Sequence, residues 1–488
     1  MNDALVALKL PPGMRNTGTV YQSKGRWYTG NFVRFFQDTI QPIGGWTLRT
    51  LTGATMAGTP NAALAWTPDR VGTAQAPVLA IGTTTGLYVV SSTNVVYDIT
   101  PSDVVSAGNN ANRIWSLDVF GAYLIATAMT KGNYATSLGP YRWECDTAVA
   151  AVLMGGAPIR PQAIVTTPER FVAQLGGVDP NPEFATVPSS RTVFWPSQES
   201  TTDWTPLATN SAGSFNLTTE GSLVCGVRVR GSTLLFTTID LHAMNYIGAP
   251  LYYSFDRVGM HCGIISAHAA TVTDTAVFWM GQQQFFMFDG FAKPIPCDLH
   301  DYVFGSFNRD YAHLVWALSN PAFGEVTWWY PSASSTVPDR YVTYNYMENH
   351  WVRGDLTRTC GVTSIPPNAV PVLVNASRQI FDHETGFTRN SEGTPSVESG
   401  PMEIGDGDQL MSIQGLFPDD KTVGDVSLTL YTAPNPDTAE TTHGPYTLTA
   451  QTSLRVKARQ VRVKLTEAVA VAWRVGVLRF SVSPSGRR

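Results

Sequence analysis

Along most of the chain, apolar residues fall in short runs closed by Gly, Pro, Thr or Asn, and they do not recur at every third or fourth position. Val78-Leu79-Ala80-Ile81-Gly82 is followed by a Thr/Gly turn, then by Leu87-Tyr88-Val89-Val90 and Val95-Val96-Tyr97-Asp98-Ile99. Ala276 to Met280 and Phe285 to Gly290 flank a Gly281-Gln282 turn and predict a hairpin. β-branched and aromatic runs of this length, punctuated by turn residues, predict strands. No segment carries the periodicity of a full-length amphipathic helix. The pattern therefore predicts an all-β protein.

Comparable groups of strands recur: Tyr123–Thr127; Phe171–Ala173 with Arg191–Trp195; Leu234–Thr238 with Ala243–Gly248; Tyr341–Tyr346 with Trp351–Arg353. They repeat in pattern more than in identity, at a period of roughly 40–55 residues, as four-stranded propeller blades do. We expect a β-propeller of six or seven blades over residues 51–396, with a double β-sandwich as the rival arrangement. Residues 1–50 read as an extended arm, broken by Pro11-Pro12-Gly13, that leads into a first β element. Such an arm can close the ring by pairing with a distant strand, or reach a neighbouring subunit. After Gly393 the texture changes, and 397–488 reads as a small sandwich-like β domain. There Leu454, Val456 and Ala458 share a face opposite Arg455, Lys457 and Arg459, and the apolar phase then moves to Val461, Val463 and Leu465. A slip of one inside a strand predicts a β-bulge near Arg459-Gln460.

Composition changes the picture in one respect. Charged residues make up 15% of the chain, well below the usual quarter or so, while 13 Trp and 18 Tyr are present. A weakly charged, aromatic-rich surface suits burial in an assembly. The net charge of −5 argues against a general nucleic-acid coat, since such binding rests on neutralising phosphates. Charge is unevenly placed: Asp382 to Glu440 is acidic, and the end is basic. These charges read first as solvated strand faces; as a candidate interface, Arg455, Lys457, Arg459, Arg462 and Lys464 would form an electrostatic seam with a neighbouring subunit or a rim near phosphates. No apolar run approaches the roughly 20 residues of a membrane-spanning helix, and the start lacks the basic region of a secretory signal. Synthesis in a cytoplasm is expected, with the five cysteines as small apolar residues.

The chain carries no recognisable catalytic or metal-binding motif. The eight histidines form no H-E-x-x-H or H-x-H pattern, no C-x-x-C pair exists, and neither a nucleophile elbow nor a phosphate-binding loop is present. Ser197 to Trp204 faintly resembles the turn of sialidase blades, but it occurs once. Asp406-Gly407-Asp408 reads as a solvated turn. Trp328, Trp329 and Tyr330 are the best candidates for exposed rings that could stack on sugar, but core or interface packing is the reading preferred for them. No catalytic residue, cofactor or metal is expected.

Four segments, in order, resemble a known family. Asn31-Phe32-Val33-Arg34-Phe35-Phe36 with Ile43-Gly44-Gly45-Trp46 is similar to an N-V-R-F…K-I-G-G-W opening, although Gln41-Pro42 stand where the family commonly has Glu-Lys. Arg191 to Ser197, continuing to Asp203-Trp204, resembles a V-x-W-S…D-W element. Tyr344-Asn345-Tyr346 to Trp351 resembles a Y-N-Y-x-x-N-x-W hairpin, and Ile380 to Gly386 a closing I-Y-x-H-E-x-G. The family comprises the β-propeller tail nozzles and packaged-DNA-stabilisation (head-completion) proteins of short-tailed phages. The resemblance implies a virion tail protein, six copies of which form a ring below the portal and adaptor. Such a ring extends the channel for double-stranded DNA, retains the genome until ejection and carries fibres, a spike or a needle. It assigns structural roles to Gly44, Gly45, Trp46, Trp195, Trp204, Tyr344, Asn345, Trp351, His383, Glu384 and Gly386, with the glycines in tight turns and the tryptophans in cores. The alternative function is a tail-associated receptor- or glycan-binding propeller.

Overall fold

The computed structural model describes residues 4–68, 76–178, 189–403, 409–434 and 438–486. Among them, seven antiparallel sheets of four principal strands follow one another along the chain. Their innermost strands are Pro60–Trp66, Arg113–Phe120, Ala163–Thr166, Leu223–Val229, Ala270–Val272, Trp316–Asn320 and Cys360–Val362. Each packs against the next, and the last packs against the first. The sheets therefore close into a seven-bladed β-propeller.

Blade stacking explains why so many strands read as continuous apolar runs. A middle strand has a neighbouring blade on each face, so alternation is lost. Val277–Met280 is buried at all four positions and Val172–Gly177 at all six.

The last blade is completed from the other end of the propeller sequence. Cys360–Val362, Val372–Val374 and Ile380–His383 supply three strands, and the fourth is Trp46–Leu48. It pairs Trp46 with His383 and Leu48 with Phe381. The ring-closing option for the N-terminal segment is thus the one realised at these residues.

The rest of the N-terminal segment is shared out. We label its strands β1 (Ala4–Leu8), β2 (Trp27–Asn31), β3 (Val33–Phe36) and β4 (Thr39–Pro42). β1 and β2 join a two-sheet sandwich built mainly from residues after 395. One sheet runs β1, Leu478–Pro484, Met411–Phe417, Thr452–Ala458; the other runs β2, Ser396–Ser399, Gln460–Glu467, Val426–Ala433, Thr441–Thr447. β3 and β4 form a hairpin whose two turn residues, Gln37 and Asp38, both have positive φ. Those angles match the twist of the flanking strands.

The phase slip at Arg459 marks a change of sheet. Thr452–Ala458 lies in the first sheet and Gln460–Glu467 in the second. Leu454 and Val456 therefore face Val463 and Leu465 across one core, to which all four belong. A single connecting residue makes the corner, as at sandwich edges where a strand switches sheets. That apolar cluster continues through Trp27, Met14 and Phe35 to Trp279, Trp328 and Trp351 of the propeller, so sandwich and propeller share a core.

Candidate functional site at the seam of the ring

A ring closed by non-covalent pairing is weakest where its two ends meet. Here that place is built from buried charge. Arg34 projects from β3, between the apolar Val33 and Phe35, and is only 3% exposed. Its Nε and Nη2 donate to the Glu325 carboxylate at 3.1 and 2.9 Å. Its Nη1 and Nη2 donate to Glu384 at 3.1 and 2.6 Å. Its guanidinium lies 3.5 Å from the centroid of the Phe323 ring. Glu384 also accepts the Gly44 N–H at 2.8 Å. One arginine thus ties the N-terminal hairpin to the sixth blade through Glu325 and to the end of the seventh through Glu384.

Burial and charge oppose each other in this triad. Burial disfavours the Arg34 cation, but the two carboxylates outweigh it and hold its pKa above the ordinary value. Burial raises the Glu325 carboxyl, and Arg34 offsets this only in part. Two carboxylates share one cation, so the cation is the indispensable member.

Around this centre the closing strand is fastened by backbone and rings. Gly45 donates to the Gly386 carbonyl at 2.7 Å and Trp46 to the Thr388 carbonyl at 2.9 Å. The Trp46 ring stacks on His383, centroids 4.9 Å apart and planes at 24°. His383 accepts from Arg358 Nε at 3.1 Å. Burial first, and the Arg358 charge second, hold its pKa well below the usual histidine value, so the imidazole stays neutral. Arg358 forms a bidentate pair with Glu392 at 2.9 and 2.8 Å. Arg389 reaches the sandwich, donating to the Ile43 carbonyl at 2.7 Å and to Glu467 at 2.9 Å.

Three of the four motif segments therefore meet here. In the third, Asn345 Oδ1 accepts from the N–H groups of Met347 and Glu348 and so holds a tight turn. Glu348 in turn accepts the Gln37 N–H at 3.0 Å, which attaches the turn to the β3–β4 hairpin. Tyr344 packs on Trp351 with centroids 4.7 Å apart. The remaining segment is elsewhere, in the third blade. There Trp195 donates to the Ser211 carbonyl and Trp204 to the Thr201 carbonyl, and both rings are buried.

The glycines divide by mechanism. Gly386 has φ +64° and sits in a turn. Gly44 and Gly45 do not have positive φ; they are required by close approach. A Cβ on Gly44 would lie 2.5 Å from Glu384 Cα, and one on Gly45 would lie 2.3 Å from the Thr388 carbonyl oxygen.

Other sequence candidates are relocated. Trp328, Trp329 and Tyr330 are all buried, with Trp329 stacked on Trp316 at 4.1 Å. They are core residues and offer no sugar platform. The five basic residues do not share a surface. Arg455 and Lys457 are exposed on the outer face of one sheet, Arg459 is at the corner, and Arg462 and Lys464 belong to the opposite sheet. Arg462 pairs with Glu398 and Glu440, and Lys464 is 4.0 Å from Glu398. Part of the acidic-to-basic seam is thus closed within the chain. Asp406-Gly407-Asp408 lies outside the described residues.

The propeller axis holds a small polar cavity of about 240 Å³ bordered by innermost strands. On its wall, burial raises the Asp118 carboxyl, and Arg228 opposes the shift. Asp118 accepts from Arg228 Nη2 at 2.8 Å and from Thr166 N at 2.7 Å, while His268 Nε2 lies 2.8 Å from the Trp115 carbonyl. Among the described residues, no group of three or more His, Cys, Asp or Glu side chains is arranged to hold a metal. The five cysteines are free thiols. Burial pushes Cys225 and Cys360 up to about 12 and Cys262 to about 11, far from the range of reactive thiols.

Glu325 lies outside the four motif segments, and Arg34 lies in the first without a role of its own there. The available signal was a charge inside an otherwise apolar strand, in a chain poor in charge.

No protein-family model matches the chain, and no curated protein does. Solved structures with similar folds include the WD40 domain of Pan2 from Neurospora crassa, at 8% identity and a TM-score of 0.37 over 69% of this chain and 92% of that one. A protein assigned as a 6-phosphogluconolactonase from Bacteroides uniformis has 10% identity and a TM-score of 0.37, over 70% and 92%. PorZ, a surface component of the type-IX secretion system of Porphyromonas gingivalis, has 6% identity and a TM-score of 0.39, over 81% and 46%. Likeness this remote carries no chemistry from those proteins to this one.

Proposed function

We propose that the chain is a structural, non-catalytic subunit of a short-tailed phage tail, a nozzle or head-completion protein. In this reading six copies form a ring below the portal and adaptor, which extends the DNA channel, retains the packaged genome and releases it at ejection. Fibres, a spike or a needle attach to the same ring.

The observation that carries the reading is the fate of the family-like motifs. Their residues are used up in closing and packing a propeller. His383, Glu384 and Glu325 are all engaged in the seam, so none is poised as an acid or base. The DNA path belongs on the axis of the assembly. The propeller's own axial cavity, about 240 Å³, cannot admit a double helix whose major groove alone is about 12 Å wide. A chain with a net charge of −5 suits a channel along which DNA must slide without being held by many phosphate contacts.

The experiment is reconstitution. Purified protein is mixed with portal–adaptor complexes of the virus that encodes it, and the products are sized and imaged. The expected product is a stack bearing a further ring on the axis. Protein that stays apart from those complexes overturns the assignment.

A further inference from the structure

β1 is an edge strand without the usual protection. Its residues Ala4–Leu8 are all apolar, lacking the Lys, Pro or inward charge that normally blunts a free sheet edge. It pairs antiparallel with Leu478–Pro484, from Ala4 opposite Val482 to Leu8 opposite Leu478. Its own chain covers it poorly: Leu5 is 53% exposed and Val6 50%. Val6 and Leu8 border an apolar cavity of about 340 Å³ whose lining includes Leu430, Val461 and Val463 of the other sheet.

The strand is also loosely attached. The first backbone anchors after it are Met14 N to the Trp351 carbonyl at 2.7 Å and Arg15 N to the Trp27 carbonyl at 2.8 Å. Gly13 is buried and has φ +86°, so the tether is Lys9 to Pro12, in which Pro11 and Pro12 exclude helix. Four residues span at most about 14 Å, the reach available for crossing to an abutting molecule.

We propose that β1 is exchanged between copies: each copy's β1 pairs with Leu478–Pro484 of the next. The inference rests on the ring reading above. The occupant of the groove is a second copy of this chain because the occupying segment is already present and its register already defined. Exchange keeps every strand contact and places the exposed Leu5 and Val6 between two protein bodies. A head-to-tail contact of this kind closes into a ring when the rotation permits.

The test uses Leu5 and Ser481, which are Cα partners in the pairing. Chains carrying only Leu5→Cys are co-assembled with chains carrying only Ser481→Cys, then oxidised and run under denaturing, non-reducing conditions. Either variant alone is the control for the native cysteines. Exchange predicts a covalent dimer in the mixture that is absent from both controls. In parallel, L5C/S481C is oxidised within one chain type, where exchange predicts a ladder of covalent oligomers. A ring seen by imaging, with cross-links confined to single chains, overturns the exchange and leaves the ring reading intact. Trans cross-links without a ring support exchange and overturn the ring reading. A7C/R479C, the next pair on the same face, replaces the first should that pair prevent folding.

Discussion

Replacing Arg34 with methionine separates the buried triad from its counter-charge and leaves the packing volume nearly unchanged. Two carboxylates then face each other without a cation, and Glu325 is among the buried charged groups. Breaking a buried ion pair by removing one partner costs about 3–5 kcal/mol. At about 1.4 kcal/mol per tenfold, that raises the open fraction of the seam by about 140-fold at the lower end and about 4000-fold at the upper. Glu325→Gln should behave differently. Burial already raises the Glu325 carboxyl, so neutralising it removes repulsion from Glu384 and leaves Glu384 to balance Arg34; one of the two Arg34 donors then meets an amide NH2 in place of an acceptor, and the cost is about 1–3 kcal/mol. The assay is urea unfolding of both variants, followed by tryptophan fluorescence, with limited proteolysis to report opening of the closing strand. A larger loss for R34M than for E325Q is expected. If E325Q were the more damaging, or R34M lay within about 1 kcal/mol of the parent, the electrostatic account of the seam would be refuted.

Three further outcomes are expected. Trp46→Ala should cost about 3–5 kcal/mol, read as a lower urea midpoint, because it removes a buried ring and the stack on His383. Gly45→Ala should cost about 1–3 kcal/mol, whereas Gly155→Ala, with open space around its Cβ position, should be near neutral in the same assay. Burial and then the Lys131 charge lower His313 to about 4, so the unfolded chain takes up this proton near pH 6.5 while the folded one does not. The stability contribution is complete above about 6.5 and is lost as pH falls toward 4, with a slope of up to about 1.4 kcal/mol per pH unit; His313→Gln should flatten the pH dependence of the melting temperature between 6.5 and 4.5. Raised carboxyls at Asp118, Glu325 and Glu467 act with the opposite sign, so the comparison is between variant and parent.

The residues differ in how plainly they announced their roles. Hairpins such as Val277–Met280 with Phe285–Phe288 were legible because pairing is local and the turn sits between the strands. Repetition of that unit pointed to a propeller. The seventh blade was harder to see, because its fourth strand, Trp46–Leu48, pairs with residues more than 330 positions away, and no local pattern encodes so distant a partner. The sandwich was visible as a change of texture, but its β1 and β2 strands come from the other end of the chain for the same reason. At Arg459 the apolar phase slip was real, and periodicity alone does not distinguish a bulge from a corner between sheets. The basic run from Arg455 to Lys464 looked continuous in sequence, yet that corner sends its halves to opposite faces. Glu384 was marked by its motif. Arg34 also lay in a motif segment, but its pairing with Glu384, and the part played by Glu325, required the fold.

The central claim is that this propeller is one unit of a ring on the tail axis, and the most direct measurement is the mass and symmetry of the native assembly, imaged both as isolated protein and on virions. The account predicts a sixfold ring coaxial with the tail. Monomeric or threefold copies, or a position at the periphery of the particle, would contradict it.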